Sequence, residues 1–152
     1  MTAIELLLKQ THESFAENDE MSLKAALTGL TQEEASWRFN ETTWTIEEIL
    51  YHVASAKIEY CKQGFGRWRE AYAKPHGDID GLIRLLDRAQ AHLVQCLEAC
   101  SEEGLVKPIP TRFHGESAAH FFWIMAMHDV SHAAQIGMIR RAYGSRTDYY
   151  PI

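Results

Sequence analysis

Apolar residues recur every third or fourth position through four long segments of this chain, and no segment shows a convincing two-residue alternation. That rhythm buries one face of a helix and leaves a strand with nothing consistent to bury, so it restricts the chain to helix packed on helix. The first helix is predicted over about residues 3–18, with Ile4, Leu8, Thr11 and Phe15 on one stripe and Thr2 with Glu5 as a capping box. A short helical piece over 22–29 and another after Thr31 follow. The second long helix starts after Thr45, with Glu48 as its capping partner, and runs to about Gln63, where Gly64 and Gly66 end it. The third runs from Asp78 to about Cys100 with Ile79, Leu82, Ile83, Leu86, Leu93 and Leu97 inward, and Gly104 follows it. The fourth starts after Ser117 and ends near Tyr143, before Gly144. Pro75, Pro108, Pro110 and Pro151 fall only where the periodicity stops. The expectation is all-α: a four-helix bundle forming a single domain over residues 1–152.

The totals exclude several classes. At 46% apolar and 24% charged, the 152 residues read as an ordinary soluble domain with enough chain for a core. No apolar run approaches the roughly 20 residues of a membrane span. The net charge is −6 and the Lys and Arg residues are scattered, so no basic stripe offers itself to nucleic acid. The start of the chain, Met1-Thr2-Ala3-Ile4-Glu5, lacks the basic and apolar regions of a signal peptide. Three cysteines, an odd number, then point to reduced thiols in the cytoplasm.

Chemistry concentrates in His128-Asp129-Val130-Ser131-His132. Histidines four apart lie one helical turn from each other and point toward a common place. At about 100° per residue, Phe121, Met125, His128, His132, Gln135 and Ile139 fall within about 80° of one another, on the face that looks into the bundle. On the second long helix, Ile46, Ile49, His52, Val53, Ala56 and Tyr60 share one arc, with His52 at its edge. Each inward imidazole needs a partner for its ring nitrogens. Either three unrelated hydrogen-bonded histidines or one shared metal meets that need. Three protein ligands with an open position would be the catalytic kind of metal site.

Two stretches resemble the DinB-like superfamily. Trp44-Thr45-Ile46-Glu47-Glu48-Ile49-Leu50-Tyr51-His52-Val53 is similar to its second-helix motif, and His128-Asp129-Val130-Ser131-His132-Ala133-Ala134-Gln135-Ile136 to its fourth-helix motif. Residues 22–31 resemble the connector that some members carry before the second helix. The resemblance implies a bundle of up-down-down-up topology, a homodimer, and a divalent metal held by His52, His128 and His132. Two positions depart from the pattern: Ala134 stands where glycine is frequent, and Asp129 where glutamate is. Asp129 is a candidate to accept a hydrogen bond from a ligand imidazole, with an exposed helix acid as the alternative. Gln135, seven residues after His128 on the same face, is a candidate to orient a ligand or water, or a polar residue satisfied inside the bundle.

Other residues carry weaker signals. His12 sits at the edge of its stripe, either near a pocket mouth or partly exposed. His120 has drifted about 80° off the ligand face, and His76, His92 and His114 have no identifiable partners. Cys96 and Cys100 read as small buried hydrophobes, and Cys61 has no helper that would make it a nucleophile. Trp37, Trp44, Trp68 and Trp123 with Tyr51, Tyr60 and Tyr72 pack the bundle or wall an apolar pocket.

Three functions follow. The first is a metal-dependent enzyme that activates a low-molecular-weight thiol or water against a small-molecule substrate, as an S-transferase or hydrolase; the resemblance favours thiol transfer. Three imidazoles suit zinc, nickel, iron, manganese or copper, with zinc or nickel placed first. The second is a zincin-like peptidase, since His-Asp-x-x-His approximates His-Glu-x-x-His, but no histidine after His132 supplies a third ligand. The third is a non-catalytic, stress-related metal- or ligand-binding module.

Overall fold

Every long periodic segment is a helix in the computed structural model, which describes residues 1–110 and 116–145. The elements are α1 (Ala3–His12), a π-helical turn (Glu13–Glu17), α2 (Leu23–Ala26), α3 (Gln32–Ser36), α4 (Ile46–Phe65), α5 (Ile79–Glu98), α6 (Glu102–Leu105) and α7 (Ala118–Tyr143). The only strand-like pairing among the described residues is an isolated bridge between Pro108 and Ser117. None of the described helices is long and apolar enough to cross a membrane.

Local chemistry sets the ends. Thr2 and Glu5 form a reciprocal capping box on α1, and Thr45 and Glu48 form one on α4, each satisfying backbone donors that the first turn leaves free. Asp78 and Ser117 cap α5 and α7 by accepting from the backbone N–H groups of Gly81 and His120. Gly66 ends α4 at φ 62° and Gly144 ends α7 at φ 95°, in the left-handed region that a side chain resists. Gly64 does not end α4. The helix runs through it to Phe65, whose ring stacks on Phe122 at 5.4 Å and also meets Phe121. That aromatic packing holds the last turn against the weak helix preference of glycine. The first long helix is also not uniform to residue 18: it widens into the π-helical turn, in which Ser14 and Phe15 are buried.

Four helices form the bundle. α4 packs against α5 and α7, and α1 closes the ring against α5 and α7. Side-chain pairings fix directions. Lys57 meets Gln90 and Cys61 meets Cys96, a near-constant offset, so α4 and α5 run the same way. His52 meets His132, Lys57 meets Asp129 and Phe65 meets Phe121, so α7 runs against them. Two apolar clusters fill the interior. One joins Ile49, Leu50 and Val53 of α4 to Leu82 and Leu86 of α5 and Ile136 of α7. The other joins Cys61, Leu93, Leu97, Phe121 and Met125.

The segment between α1 and α4 is pinned by one buried guanidinium. Arg140 of α7 donates from Nε to Glu34 at 2.8 Å, and from Nη1 to the carbonyls of Ala26 and Thr28, each at 2.8 Å. Both side chains of the pair are at least 95% buried. Downstream, Asn40 Oδ1 accepts from the backbone of Thr42 and Thr43, and Arg38 donates to the Thr43 carbonyl and to Glu48. The loop over 39–44 is thereby held beside the start of α4.

Removing one member of a buried pair strands the other charge, which typically costs about 3–5 kcal/mol. Arg140→Met is therefore expected to lower the unfolding free energy by about that amount, read from the midpoint and slope of urea denaturation.

Candidate metal centre

The inward faces of α4 and α7 bring three imidazoles together. On α4, Ile49, Leu50 and Val53 are buried and leave His52 half-buried at the edge of their stripe. On α7, Met125, Ala126 and Ala133 are buried around His128 and His132. His128 Nε2 lies 3.0 Å from His52 Nε2 and 3.1 Å from His132 Nε2. One ligand atom from each of the three falls within 4.8 Å of the others. The three residues named from helical spacing are thus adjacent in space.

The donor set suits a divalent ion. Zinc–imidazole bonds of about 2.0–2.1 Å set tetrahedral ligand nitrogens roughly 3.3–3.4 Å apart, within a few tenths of an ångström of both contacts. His132 Nδ1 donates to Gln135 Oε1 at 2.8 Å, which leaves the His132 Nε2 lone pair free to face the other two rings. Burial lowers the pKa of His132 below the ordinary value, with the Gln135 hydrogen bond opposing the shift. A neutral imidazole is the form a metal requires. Gln135 therefore fixes a ring, one turn along α7 from the residue it orients.

Asp129 takes a different place from the one expected. Its carboxylate reaches no imidazole, because the residue after His128 is turned about 100° around the helix. Instead Oδ2 accepts from Lys57 Nζ at 2.7 Å, and both side chains are almost completely buried. Lys57 Nζ also donates to Gln90 Oε1 at 2.6 Å and sits 4.6 Å from the Phe15 ring centroid. Asp129 Oδ1 is buried without a hydrogen-bond partner among the described residues. Burial pushes the Lys57 ammonium below its ordinary pKa and the Asp129 carboxyl above its own, and each charge opposes the other's shift. Lys57 escaped the sequence reading. Its signal was a lysine in register with Val53 and Cys61 on one core stripe, opposite an aspartate in register with Met125 and Ala133 on another.

A cleft of about 690 Å³ opens beside the cluster. His52, His132 and Gln135 contribute polar groups to it, and Trp44 stands at its wall with its ring 5.1 Å from that of His52. His12 is not among its lining residues. His120 lies near Glu116 on the surface, and His92 packs edge-on against Trp68 at 5.2 Å. His114 lies outside the described residues. Cys61 and Cys96 are buried and Cys100 half-buried, all three as free thiols. The Cys96 contact and then burial push the Cys61 thiol up, away from nucleophilic reactivity.

An all-helical bundle with three convergent histidines on two of its helices defines a class of candidate metalloproteins. A family model described as the DinB superfamily matches residues 16–136, and the chain belongs to that superfamily. No curated protein and no solved structure matches it.

Lys57→Met leaves Asp129 as an uncompensated buried charge, and a loss of about 3–5 kcal/mol in unfolding free energy is expected. The double replacement Lys57→Met with Asp129→Leu should recover most of it, and a urea double-mutant cycle measures the difference. The depressed His132 pKa has a second consequence. An unfolded His132 titrates near 6.5, above the native value, so below that pH the unfolded chain binds more protons. Metal-free protein should lose stability as pH falls below about 6.5, and His132→Gln should flatten that slope in denaturation series from pH 7.5 to 5.5.

Proposed function

We propose that this chain is a metal-dependent enzyme acting on a small molecule held in the cleft beside His52, His128 and His132, with a low-molecular-weight thiol as nucleophile. The observation that carries the proposal is the convergence of three imidazole nitrogens, two of whose rings, His52 and His132, line that cleft. A divalent ion bound there supplies Lewis acidity, lowering the pKa of a thiol or water that reaches it. The remaining work falls to the chain itself. Gln135 holds His132 in the tautomer whose Nε2 is unprotonated. Trp44 packs beside His52 and limits how that ring turns.

Thiol transfer is preferred to hydrolysis because of what the cleft lacks. Besides His52 and His132, its described polar lining is Thr42, Thr43 and Gln135, none of which titrates near neutral pH. Hydrolysis would ask for a proton donor to the leaving group, and beyond the two histidines no such side chain lines the cleft among the described residues. A thiol ordinarily ionises near pH 8.5 and needs only modest help to attack an electrophile. The peptidase reading loses its general base, since Asp129 is buried on Lys57.

Zinc- or nickel-loaded wild type is expected to hold about one ion per chain. His52→Ala and His128→Ala should each bind it at least tenfold more weakly, read by metal analysis after dialysis against a competing chelator. Loaded protein should also consume glutathione, bacillithiol, mycothiol or coenzyme A in the presence of an electrophile, and His128→Ala should not. Turnover indifferent to that substitution overturns the catalytic reading. Ion binding without turnover across the panel makes the chain a binding module instead.

A further inference from the structure

Of the two substrates that thiol transfer requires, we infer that the cleft receives the electrophile, and that its non-reacting portion is uncharged and apolar. The inference rests on the reading of this cleft as the place where substrate meets the triad, and it follows from the chemistry of the walls. Phe39, Trp44, Ile49, Met138, Ile139 and Ala142 supply carbon surface. Thr42, Thr43 and Gln135 supply neutral polar groups, and no Lys, Arg, Asp or Glu lines the cleft among the described residues.

Two charged side chains beside the loop wall, Arg38 and Glu48, are already engaged. Arg38 donates to the Thr43 carbonyl and to Glu48 at 2.7 Å. Glu48 accepts from Thr45 N–H at 2.8 Å and is held below its ordinary pKa first by that backbone hydrogen bond and then by Arg38. A carboxylate or ammonium held against these walls, away from the triad, would lose water and find no counter-charge among the described residues, whereas an alkyl or aryl group would lose nothing polar. Low-molecular-weight thiols that carry charged groups would then keep those groups outside the walls. The volume of about 690 Å³ sits within the range that encloses a whole small ligand.

Full-length protein, with and without one equivalent of zinc, would be titrated with n-alkanols from butanol to octanol. Methyl NMR signals of Met138, Ile139 and Ile49 report the site, and those of Met127, about three turns away in a separate groove beside Glu13 and Ser14, serve as the control. Saturable shifts are expected at the first group, with affinity rising about fourfold per methylene. In the zinc-free protein, hexanoate and hexylamine should bind at least tenfold more weakly than hexanol. Met138→Glu, at a side chain that is 71% exposed, should leave the fold intact and let hexylamine overtake hexanol. An affinity flat in chain length, hexanoate equal to hexanol in the zinc-free protein, or shifts confined to Met127 would overturn the inference. Zinc uptake is measured in the same samples. Its absence alongside an intact alkanol series would count against the metal reading alone, and its presence with a flat series against this inference alone.

Discussion

The buried contact between Lys57 and Asp129 sets the frame on which the candidate site depends. Lys57 lies five residues after His52 on α4, and Asp129 directly follows His128 on α7. Two charges drawn out of water within 2.7 Å of each other tolerate little sliding, because any separation exposes each to a medium that cannot solvate it. The pair therefore locks the relative height of the two helices about a turn and a half from the imidazoles. Gln90 extends the lock to α5, and Phe15, in the π-helical turn after α1, lays its ring near the ammonium. All four long segments of the bundle meet around one lysine.

Arg140 performs the equivalent task at the other end of the site. It reaches from α7 across to Glu34 and to the carbonyls of Ala26 and Thr28, so a connector whose Leu23, Ala26, Leu27 and Ala35 join the core is further held by directed hydrogen bonds. The loop that follows delivers Phe39 and Trp44 to the cleft. The two buried ion pairs thus divide the labour. Lys57–Asp129 fixes the helices that carry the histidines, and Arg140–Glu34 fixes the segment that leads into the wall in front of them.

Much of this was legible in the order of residues because it depends on local periodicity. The caps at Thr2, Thr45 and Ser117, the long helices, and the inward facing of His52, His128 and His132 follow from turns of 3.6 residues and from backbone groups that need partners. What escaped depends on contacts between helices. Asp129 could be placed one position after a ligand candidate, but its partner stands 72 residues away and cannot be read from spacing on one helix. Gly64 looked like a stop until the aromatic stack of Phe65 on Phe122 was seen to carry the helix past it. The π-helical turn is a third case, since no local signal marks the extra residue that accompanies the burial of Phe15.

The arrangement that results is strongly polarised. One end of the cleft carries the imidazoles of His52 and His132, with His128 against them, and the amide of Gln135, and the rest of its described lining is carbon surface with neutral hydroxyls. Such a site can bind an uncharged reactant through its apolar body while presenting its reactive group to the nitrogens, and the two parts of the recognition remain separable. The protein's own charges reinforce this division by being satisfied elsewhere. Lys57 with Asp129 and Arg140 with Glu34 are spent inside the bundle, and Arg38 is spent on the loop beneath the wall. In a chain of net charge −6, the described lining of the cleft carries no Lys, Arg, Asp or Glu. The field a substrate meets there is set by the histidines and whatever ion they hold, and the scattered surface charge contributes little across a screened solvent.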